Sequence, residues 1–558
     1  MNYANHLAGS VTQFDRTDPR QVPNSDGALV FAVGPFERLE RFLILGSEGG
    51  TYYATERQLT RDNAASVGAC ADEDPHRTVR TIVQVSQWGR APKQSPALFA
   101  LALCAAHASA VTRKLALDAL PLVCRTASHL FEFVGYVDTL RGWGAQLCRA
   151  VGSWYASKAP EQLAYQLTKY RQRGGWSHRD VLRKAHPRHG LFSAQQQALI
   201  RWTVAGPGAL GERDVVRKGI EALDRQVGVG ELPESVWAFE QLQIATSAEH
   251  AAQLILAHGF THEMVPAQFK NDRSVWEALL PAMPLGALVR NLGKLTEIGI
   301  LSRGSEWTKQ VASRITDLPG IRKARLHPIA FLSAQMVYRS GHGVKGKLAW
   351  TPAPEVTAAL ESAFYLAFGN VESSGKRLLL GLDVSGSMQS GQIAGIPGLT
   401  PAMATAAMAL VTLRREPHAF CMGFSHQFIP LGIMPEMSLE QAMRATSGIS
   451  FGGTDCSLPM RWAAGHALEF DGFSVYTDSE TNQNQEHPYQ ALERYRRETD
   501  IPARLAVVAF ASSGFTIANP SDAGMLDVVG FDSSAPAVLG DFFRGKQPRE
   551  GVAVPDDS

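Results

Sequence analysis

The sequence predicts a multidomain protein in which a long α-helical repeat region precedes an α/β domain with a mostly parallel sheet. A chain of 558 residues is too long for one ordinary hydrophobic core. From Ser95 to Asn370, apolar residues recur at intervals of three and four, as in HLFEFVGYVDTL. After Glu372, short apolar strands alternate with helical segments. These patterns predict helices that pack on their neighbours, followed by a sheet covered by helices on both faces.

Four segments follow in chain order. Residues 1 to 25 are polar and rich in Asp, Asn and Pro, which predicts a flexible N-terminal arm. Residues 26 to 371 carry consecutive helical segments with no fixed sequence period, as in an α-solenoid with degenerate repeats. Residues 372 to 543 contain the predicted strands LLLGLD, HAFCMGF, FSVYTD, RLAVVAFA and MLDVVGF. Residues 544 to 558 are predicted to be a disordered tail.

Composition excludes several classes of protein. Hydrophobic residues make up 45% of the chain and charged residues 19%, which is typical of a globular protein. No apolar run approaches the roughly 20 residues that span a bilayer, and the first residues lack the apolar core of a signal peptide. The six cysteines form no CxxC pair, so we expect reduced thiols rather than a disulfide or zinc framework. These features predict a cytoplasmic protein with no membrane partner.

The near-neutral net charge of +1 conceals an asymmetry between the two parts of the chain. Residues 371 to 558 carry 13 Lys and Arg against 21 Asp and Glu, whereas residues 1 to 370 carry 41 against 32. A basic first part could form a nucleic-acid surface, but the same excess spread over 370 residues could be an ordinary solvated face. The charge count alone therefore does not distinguish a nucleic-acid surface from an ordinary solvated face.

Oxygen-bearing side chains follow several predicted strands of the second part. Asp383, Ser385 and Ser387 come at the end of the strand LLLGLD, Thr454 follows two glycines, and Asp478 with Ser479 closes a later strand. Because the carboxyl ends of parallel strands meet at one edge of a sheet, two carboxylates and several hydroxyls there suit an octahedral Mg²⁺. The alternative is that DxSxS merely begins a helix, since Asp and Ser are favoured helix caps. Thr454 and Asp478 supply further oxygen atoms at the same predicted edge of the sheet, which favours a metal site over a simple helix cap.

A cationic stretch runs from Leu167 to His186 in the helical part. A helix is predicted to end at Arg173, two glycines interrupt it, and Ser177 with Asp180 forms a capping-box-like start to the next helix. The apolar side of that second helix is predicted to face the core, which leaves a cationic side exposed. The candidate phosphate-binding residues are Arg179, Arg183 and His186 on this helix, Lys169, Arg171 and Arg173 before it, and His178 at its N-terminus. A Lys/Arg-rich helix face is usually only solvated, but two successive elements contribute cations here.

The metal motifs resemble a known site. DVSGS, GGTD and TD after a strand are similar, residue by residue, to the metal-ion-dependent adhesion site of von Willebrand factor A domains, which have a Rossmann-like fold. The resemblance implies a ligand-binding module in which the open metal position accepts a carboxylate from a protein partner. A hydrolase is the rival interpretation, with His426 and His487 available as bases, although both are expected in surface loops.

Longer segments resemble one family over most of the chain. TKYRQRGGWSHRDVLRKAH, RSGHGVKGKLAW and GGTDCSLPM are similar to the Ro ribonucleoprotein autoantigen family. The resemblance implies a ring-shaped TROVE domain of HEAT-like repeats, closed by a von Willebrand A domain. It also implies that small noncoding Y RNA binds the basic outer surface and that single-stranded 3′ ends of misfolded RNA enter the hole. Lys169, Arg173 and His186 match positions at which the family contacts RNA.

These expectations combine into one interpretation and one alternative. The chain is interpreted as a non-enzymatic, monomeric RNA-binding ring that acts in RNA quality control or as a scaffold for an exoribonuclease such as polynucleotide phosphorylase, as in bacterial members of the family. The alternative is a metal-dependent scaffold in which the A domain binds an acidic partner and RNA is incidental. The sequence does not identify the RNA, the nuclease or the ligand of the metal.

Overall fold

A computed structural model describes most of the chain. The described residues are 12–24, 27–32, 34–45, 64–88, 94–205, 232–324, 326–343, 347–389, 393, 398–446, 449, 453–477, 481–482, 485–509, 515–529 and 535–545. They pack as two compact units. The helical unit comprises Val67–Gln87 and Lys93–Thr308, and the sheet unit comprises Met1–Ser66, Trp88–Pro92 and Lys309–Ser558.

The helical unit is built from short helices in series. Its helices are α2 (Ala65–Glu73), α3 (Pro75–Trp88), α4 (Ser95–Ala105), α5 (Ala110–Asp118), α6 (Leu120–Val123), α7 (Ala127–Leu140), α8 (Ala145–Ala156), α9 (Pro160–Lys169), α10 (His178–Ala185), α11 (Ala194–Ala205), α12 (Glu234–Gln243), α13 (Ala248–His258), α14 (Arg273–Leu279) and α15 (Leu285–Glu297). Helices near in sequence pack together, as α4 does with α5 and α7, and α13 with α14. This local packing confirms the predicted series of stacked helices. The helix predicted at DVVRKGIEALDRQV lies outside the described residues.

The sheet unit contains the predicted parallel sheet. Its strands are β5 (Leu378–Asp383), β6 (Ala419–Phe424), β7 (Phe428–Pro430), β8 (Gly472–Tyr476), β9 (Arg504–Ala509) and β11 (Met525–Val529), in the order β11-β9-β8-β5-β6-β7. All neighbours are parallel except β7, which pairs antiparallel with β6. Every residue of the central strand β5 is buried. A sheet of this kind places functional loops beyond the carboxyl ends of its strands.

The sheet unit also contains helices, some of which contact its strands. They are α1 (Pro35–Leu45), α16 (Glu306–Ile315), α17 (Leu318–Ala324), α18 (Pro328–Arg339), α19 (Pro354–Leu366), α20 (Gly386–Gln389), α21 (Pro401–Arg415), α22 (Leu439–Ala445), α23 (Leu458–Gly465), α24 (Pro488–Thr499) and α25 (Ala535–Phe543). Apolar residues of α23 and α24 share one core cluster with Leu379, Val475 and Leu505 of the sheet. Gly381 allows α23 to approach β5, since a Cβ there would lie 2.7 Å from Pro459. Among the described residues, no helix combines the length and apolarity needed to cross a bilayer.

The N-terminal residues are part of the sheet unit. Strand β1 (Gln21–Pro23) pairs antiparallel with β2 (Leu29–Ala32), which pairs with β10 (Phe515–Thr516). Gln13, Gln21 and Asn24 are buried, and their side chains hydrogen-bond to residues more than 440 positions away. The predicted flexible arm at residues 1 to 25 is therefore wrong for residues 12 to 24, because buried amides replace the apolar contacts that its composition lacks. At the other end, Arg544 donates to the Ser373 carbonyl at 2.9 Å, so the predicted tail begins too early.

Candidate nucleic-acid interface and metal loops

A tight hairpin organises the cationic stretch. Strands β3 (Gln172–Arg173) and β4 (Trp176–Ser177) pair around Gly174 and Gly175, whose φ angles are 57° and 82°. Two consecutive positive φ angles are those of a type I′ turn, which matches the twist of the strands and favours glycine. Helix α9 consequently ends at Lys169, and the helix predicted to continue to Arg173 gives way to the hairpin.

The predicted capping box begins α10. Ser177 accepts from the Asp180 amide, and the Asp180 carboxylate accepts from the Ser177 amide at 3.0 Å. Val181, Leu182 and Ala185 are buried as predicted. The helix is one residue shorter than predicted, and His186 follows it in a left-handed conformation with φ 41°. This geometry projects α10 from the end of the hairpin with its polar side outward.

His178 differs from its predicted position on the cationic face. Its side chain is only 3% exposed, and Nδ1 lies 2.8 Å from the Tyr155 hydroxyl while Nε2 lies 3.2 Å from the Gln166 carbonyl. The imidazole also packs edge-on against Phe131 at 4.7 Å. Burial lowers the pKa of His178 to about 4. The side chain is therefore a neutral part of the core, and the prediction that it faces RNA is corrected.

The other predicted cations differ in exposure. Arg171, Arg173, Arg183 and His186 are exposed, and Arg179 is half-buried. Lys169 is only 15% exposed, and its ammonium donates to the Tyr165 hydroxyl at 2.8 Å. Burial alone would lower the pKa of Lys169, but this hydrogen bond and the nearby Glu263 carboxylate raise it above its ordinary value. The hairpin and α10 thus carry an exposed cationic face with one partly covered lysine at its edge.

Several cations of this face contact carboxylates. Lys169 lies 3.8 Å from Glu263, and Arg173, which is 60% exposed, lies 3.6 Å from Glu132. Contacts of this length in solvent are weak, because water and salt screen them. The exposed Arg173 is therefore only weakly paired with Glu132, whereas Glu263 lies beside the partly covered Lys169.

Sequence reasoning missed Lys184 and the aromatic residues beside it. The Lys184 ammonium is half-exposed, lies 3.4 Å from Asp138, and sits 5.3 Å above the Trp176 ring and 5.9 Å from the Trp143 ring. The two indoles are 5.8 Å apart. The available signal was the tryptophan that closes the glycine hairpin, because flat aromatic rings beside cations suit bases as well as phosphates.

The metal motifs converge at the carboxyl end of the parallel sheet. Asp383 ends β5 and is 2% exposed; its carboxylate accepts from the Ser385 amide and from the Thr477 hydroxyl, both at 2.8 Å. The Ser385 and Ser387 hydroxyl oxygens are 3.0 Å apart. Thr454 is buried, and its amide donates to the Asn482 side chain at 2.6 Å. The loops after β5 and β8 and the GGTD loop therefore meet at one edge, as predicted.

This donor set fits a hard divalent cation. It consists of a buried carboxylate and two hydroxyl oxygens that lie 3.0 Å apart, and oxygen ligands are the type that Mg²⁺ accepts. Within the described residues, no group of three or more His, Cys, Asp or Glu side chains could hold a metal ion. Asp478 and Ser479, predicted to complete the site, lie outside the described residues.

The N-terminal segment braces two of these loops through Gln13. The buried Gln13 amide donates to Asp455 at 2.9 Å and accepts from the Thr481 hydroxyl at 2.7 Å. The Thr481 hydroxyl also lies 3.3 Å from the Thr454 carbonyl. Asp455, next to Thr454, is further held by Arg461 at 3.1 Å. Gln13 therefore links the GGTD loop to the loop after β8.

Gln13→Ala is expected to lower the free energy of unfolding by about 1 to 3 kcal/mol, because it leaves buried polar partners without their hydrogen bonds. Urea denaturation followed by circular dichroism measures this change. Gln427→Ala removes an exposed glutamine from the same unit and is the matched control. Equal midpoints for the two variants would show that Gln13 does not brace the loops.

The two histidines considered for hydrolysis lie in different environments. His487 is buried, with Nδ1 3.1 Å from the Gln21 amide and Nε2 2.9 Å from the Asp15 carbonyl, so its predicted surface position is wrong. His426 is exposed, and its Nδ1 lies 3.2 Å from the Ser425 hydroxyl. The role of His487 is to hold the N-terminal segment on the sheet unit.

The fold and the loops define a class of protein in which a helical-repeat region precedes a von Willebrand A domain. Residues 22–337 match the family model of the TROVE domain, and residues 377–543 match that of the Ro60 vWA domain. The chain belongs to the Ro60 family. This assignment confirms the family and the fold class predicted from the sequence.

Named relatives cover nearly the whole chain. The RNA-binding protein RO60 of Deinococcus radiodurans is 42% identical over 536 residues, which cover 96% of this chain and 97% of that protein. The RNA-binding protein RO60 of Caenorhabditis elegans is 34% identical, and the alignment covers 96% of this chain and 92% of that protein. The crystal structure of the Deinococcus radiodurans RO (RSR) protein has a TM-score of 0.71 and 41% identity, and covers 92% of this chain and 100% of that one.

Proposed function

We propose that this protein is a non-enzymatic RNA-binding protein that binds small noncoding Y-type RNA on the exposed cationic face of the hairpin and α10. The observation that carries the proposal is the set of exposed cations at Arg171, Arg173 and Arg183, joined by Lys184 and His186. Their spacing around a rigid turn suits a phosphate backbone. The names of the Deinococcus and nematode relatives, both RNA-binding proteins, support it.

The proposal extends to the biological role. The repeat region would form a monomeric ring whose hole takes single-stranded 3′ ends of misfolded RNA, for quality control or for delivery to an exoribonuclease such as polynucleotide phosphorylase. The place of action would be the cytoplasm. All six cysteines fall within the described residues and none of them forms a disulfide, which supports a reducing compartment.

A second candidate function rests on the metal loops. A divalent cation held by Asp383, Ser385, Ser387 and Thr454, with Asp478, would supply a Lewis-acidic position for a carboxylate of a protein partner. Gln13 and Asn482 would keep the loops in place for it. In that case the A domain would be a scaffold for an acidic partner, whether or not RNA is bound.

The RNA proposal is tested by removing three charges at once. Lys169→Gln, Arg173→Gln and Arg183→Gln together are expected to weaken binding of a structured Y-type RNA about 10- to 100-fold. The slope of the logarithm of the binding constant against the logarithm of the salt concentration should become about 2 to 3 less negative, because each lost phosphate contact changes that slope by slightly less than one. Fluorescence anisotropy over a salt titration measures both quantities.

The matched control neutralises three exposed cations elsewhere, Arg80, Arg303 and Arg322. That variant should bind RNA within about twofold of the parent, because solvent and salt screen exposed charges that make no direct phosphate contact. Equal losses in the two triple variants would mean that only overall charge matters. Incubation of the pure protein with labelled RNA and Mg²⁺ tests the absence of catalysis, and turnover would contradict it.

A further inference from the structure

A polar cleft lies in the helical unit next to the cationic face. It is open to solvent and has a volume of about 610 Å³ between the ends of α6 and α8 and the first turns of α9. This volume is in the range of small-molecule sites. Its lining includes Arg125, Lys158, Glu161, Gln162 and Tyr165. Polar and charged side chains therefore dominate a cleft of nucleotide size.

Two cations of the cleft have no acidic partner. Among the described residues, no carboxylate lies within 4.0 Å of Arg125 or Lys158, whereas Lys169, Arg173 and Lys184 each contact one. The Lys158 ammonium donates to the Trp154 carbonyl at 3.1 Å and sits 3.6 Å above the Trp154 ring. Burial lowers the pKa of Lys158 to about 8. A half-buried cation without a counter-charge favours an anionic ligand.

The remaining side chains suit the neutral parts of a nucleotide. Tyr165 is 42% exposed and offers an aromatic ring, on which any base can stack. Glu161 and Gln162 are exposed at the same cleft and can hydrogen-bond to a ribose hydroxyl or to the edge of a base. Glu161 would repel a second phosphate, so the cleft suits a single phosphate with its nucleoside.

Tyr165 connects the cleft to the cationic face. Its hydroxyl accepts from the Lys169 ammonium at 2.8 Å, and its ring lies 5.1 Å from that ammonium. The side chain that lines the cleft is thus the same one that positions the lysine at the edge of the face. A nucleotide in the cleft and a phosphate backbone on the face would be neighbours along one strand.

We propose that this cleft binds one unpaired ribonucleotide of an RNA whose paired part lies on the cationic face. Arg125 and Lys158 would hold its phosphate, and Tyr165 would stack on its base. The inference rests on the proposed RNA-binding function, because the face must hold the paired part. It adds a specific site for an extruded nucleotide, beyond general attraction of phosphates.

The test uses the full chain and two labelled RNA hairpins that differ only in a one-nucleotide bulge. Arg125→Gln with Lys158→Gln is expected to weaken binding of the bulged hairpin about tenfold and that of the paired hairpin less than twofold, by fluorescence anisotropy. Arg80→Gln with Arg303→Gln is the charge-matched control and should leave both unchanged. Adenosine monophosphate is the free-nucleotide probe and should compete with the bulged hairpin only. Circular dichroism checks that each variant is folded.

The outcomes separate the cleft from the face. Equal losses for the two hairpins, or no loss for either, overturn the cleft as a nucleotide site. Adenosine monophosphate could bind to the parent and not to the Arg125→Gln, Lys158→Gln variant, while both bind the bulged hairpin equally. In that case the ligand of the cleft is a free nucleotide, and the assignment of the cleft to RNA is overturned. If the Lys169, Arg173 and Arg183 variant leaves the paired hairpin bound, the proposed function fails instead, whatever the cleft binds.

Discussion

Arg41→Met is expected to lower the free energy of unfolding of the sheet unit by about 3 to 5 kcal/mol, because it leaves a buried carboxylate without its counter-charge. Arg41 lies on α1 and is 2% exposed; it forms an ion pair with Asp527 of β11, which is 9% exposed. The same guanidinium donates to the Phe515 carbonyl at 3.2 Å. One side chain therefore ties the N-terminal helix to the edge of a sheet that is almost 500 residues away in sequence.

The measurement is urea denaturation, with near-ultraviolet circular dichroism reporting on the tertiary packing of aromatic residues. Because a protein of two units can unfold in more than one step, the midpoint is compared between variants within each transition. The double variant Arg41→Met with Asp527→Leu is the control, since replacing both partners of a buried pair by apolar residues costs much less than breaking it. If Arg41→Met alone unfolded at the same urea midpoint as the parent, the ion pair would not stabilise the position of α1.

The parallel sheet and its metal loops could be predicted from sequence because each signal is local. LLLGLD is apolar up to its final aspartate, and every residue of its strand is buried, so burial and pattern agree. The oxygen-bearing residues follow their strands directly, and strand order places them at one edge without further information. In the structure the Asp383 carboxylate accepts from the Ser385 amide, and the Thr454 amide donates to Asn482 in the loop after β8. That these residues hold a metal ion stays a prediction.

The N-terminal segment could not be predicted in the same way. Gln13, Gln21 and Asn24 are polar and their partners, such as Asp455 and Thr481, are far away in sequence. From sequence alone, a polar segment is predicted to be flexible unless the buried groups to which it hydrogen-bonds are known. His178 shows the same limit, since Tyr155 and Phe131 decide its burial and neither is near it in sequence.

The hairpin shows how local geometry can override helical periodicity. The residues of TKYRQR carry a helical pattern, yet the chain leaves the helix after Lys169 because Gly174 and Gly175 make a tight turn and the strands beside it pair. Arg173 therefore lies in a two-stranded ribbon, and Arg171 directly precedes it, instead of both lying at a helix end. That change strengthens the proposal of a phosphate-binding face, because a ribbon holds its side chains in fixed positions beside α10.

Asp383→Asn is expected to weaken binding of Mg²⁺ or Mn²⁺ by about 100-fold or more, because a hard divalent cation depends on carboxylate charge and the hydroxyls of Ser385 and Ser387 supply none. Asparagine keeps the size of the side chain and can still accept from the Thr477 hydroxyl, so the sheet should remain folded. Isothermal titration calorimetry with each metal measures the affinity. Asp500→Asn is the matched control, because Asp500 is exposed, lies beyond α24 with φ 57°, and asparagine tolerates that conformation.

The same variant separates the two candidate functions. RNA affinity should stay within about twofold of the parent, since Asp383 lies in the sheet unit and the cationic face lies in the helical unit. A partner protein captured through a carboxylate would be lost from the variant and also lost from the parent on treatment with EDTA. Loss of a partner with intact RNA binding would establish the scaffold beside the RNA function, whereas loss of RNA binding would mean that the metal loops and the face act as one site. Metal binding retained by Asp383→Asn would remove this edge of the sheet as the cation site.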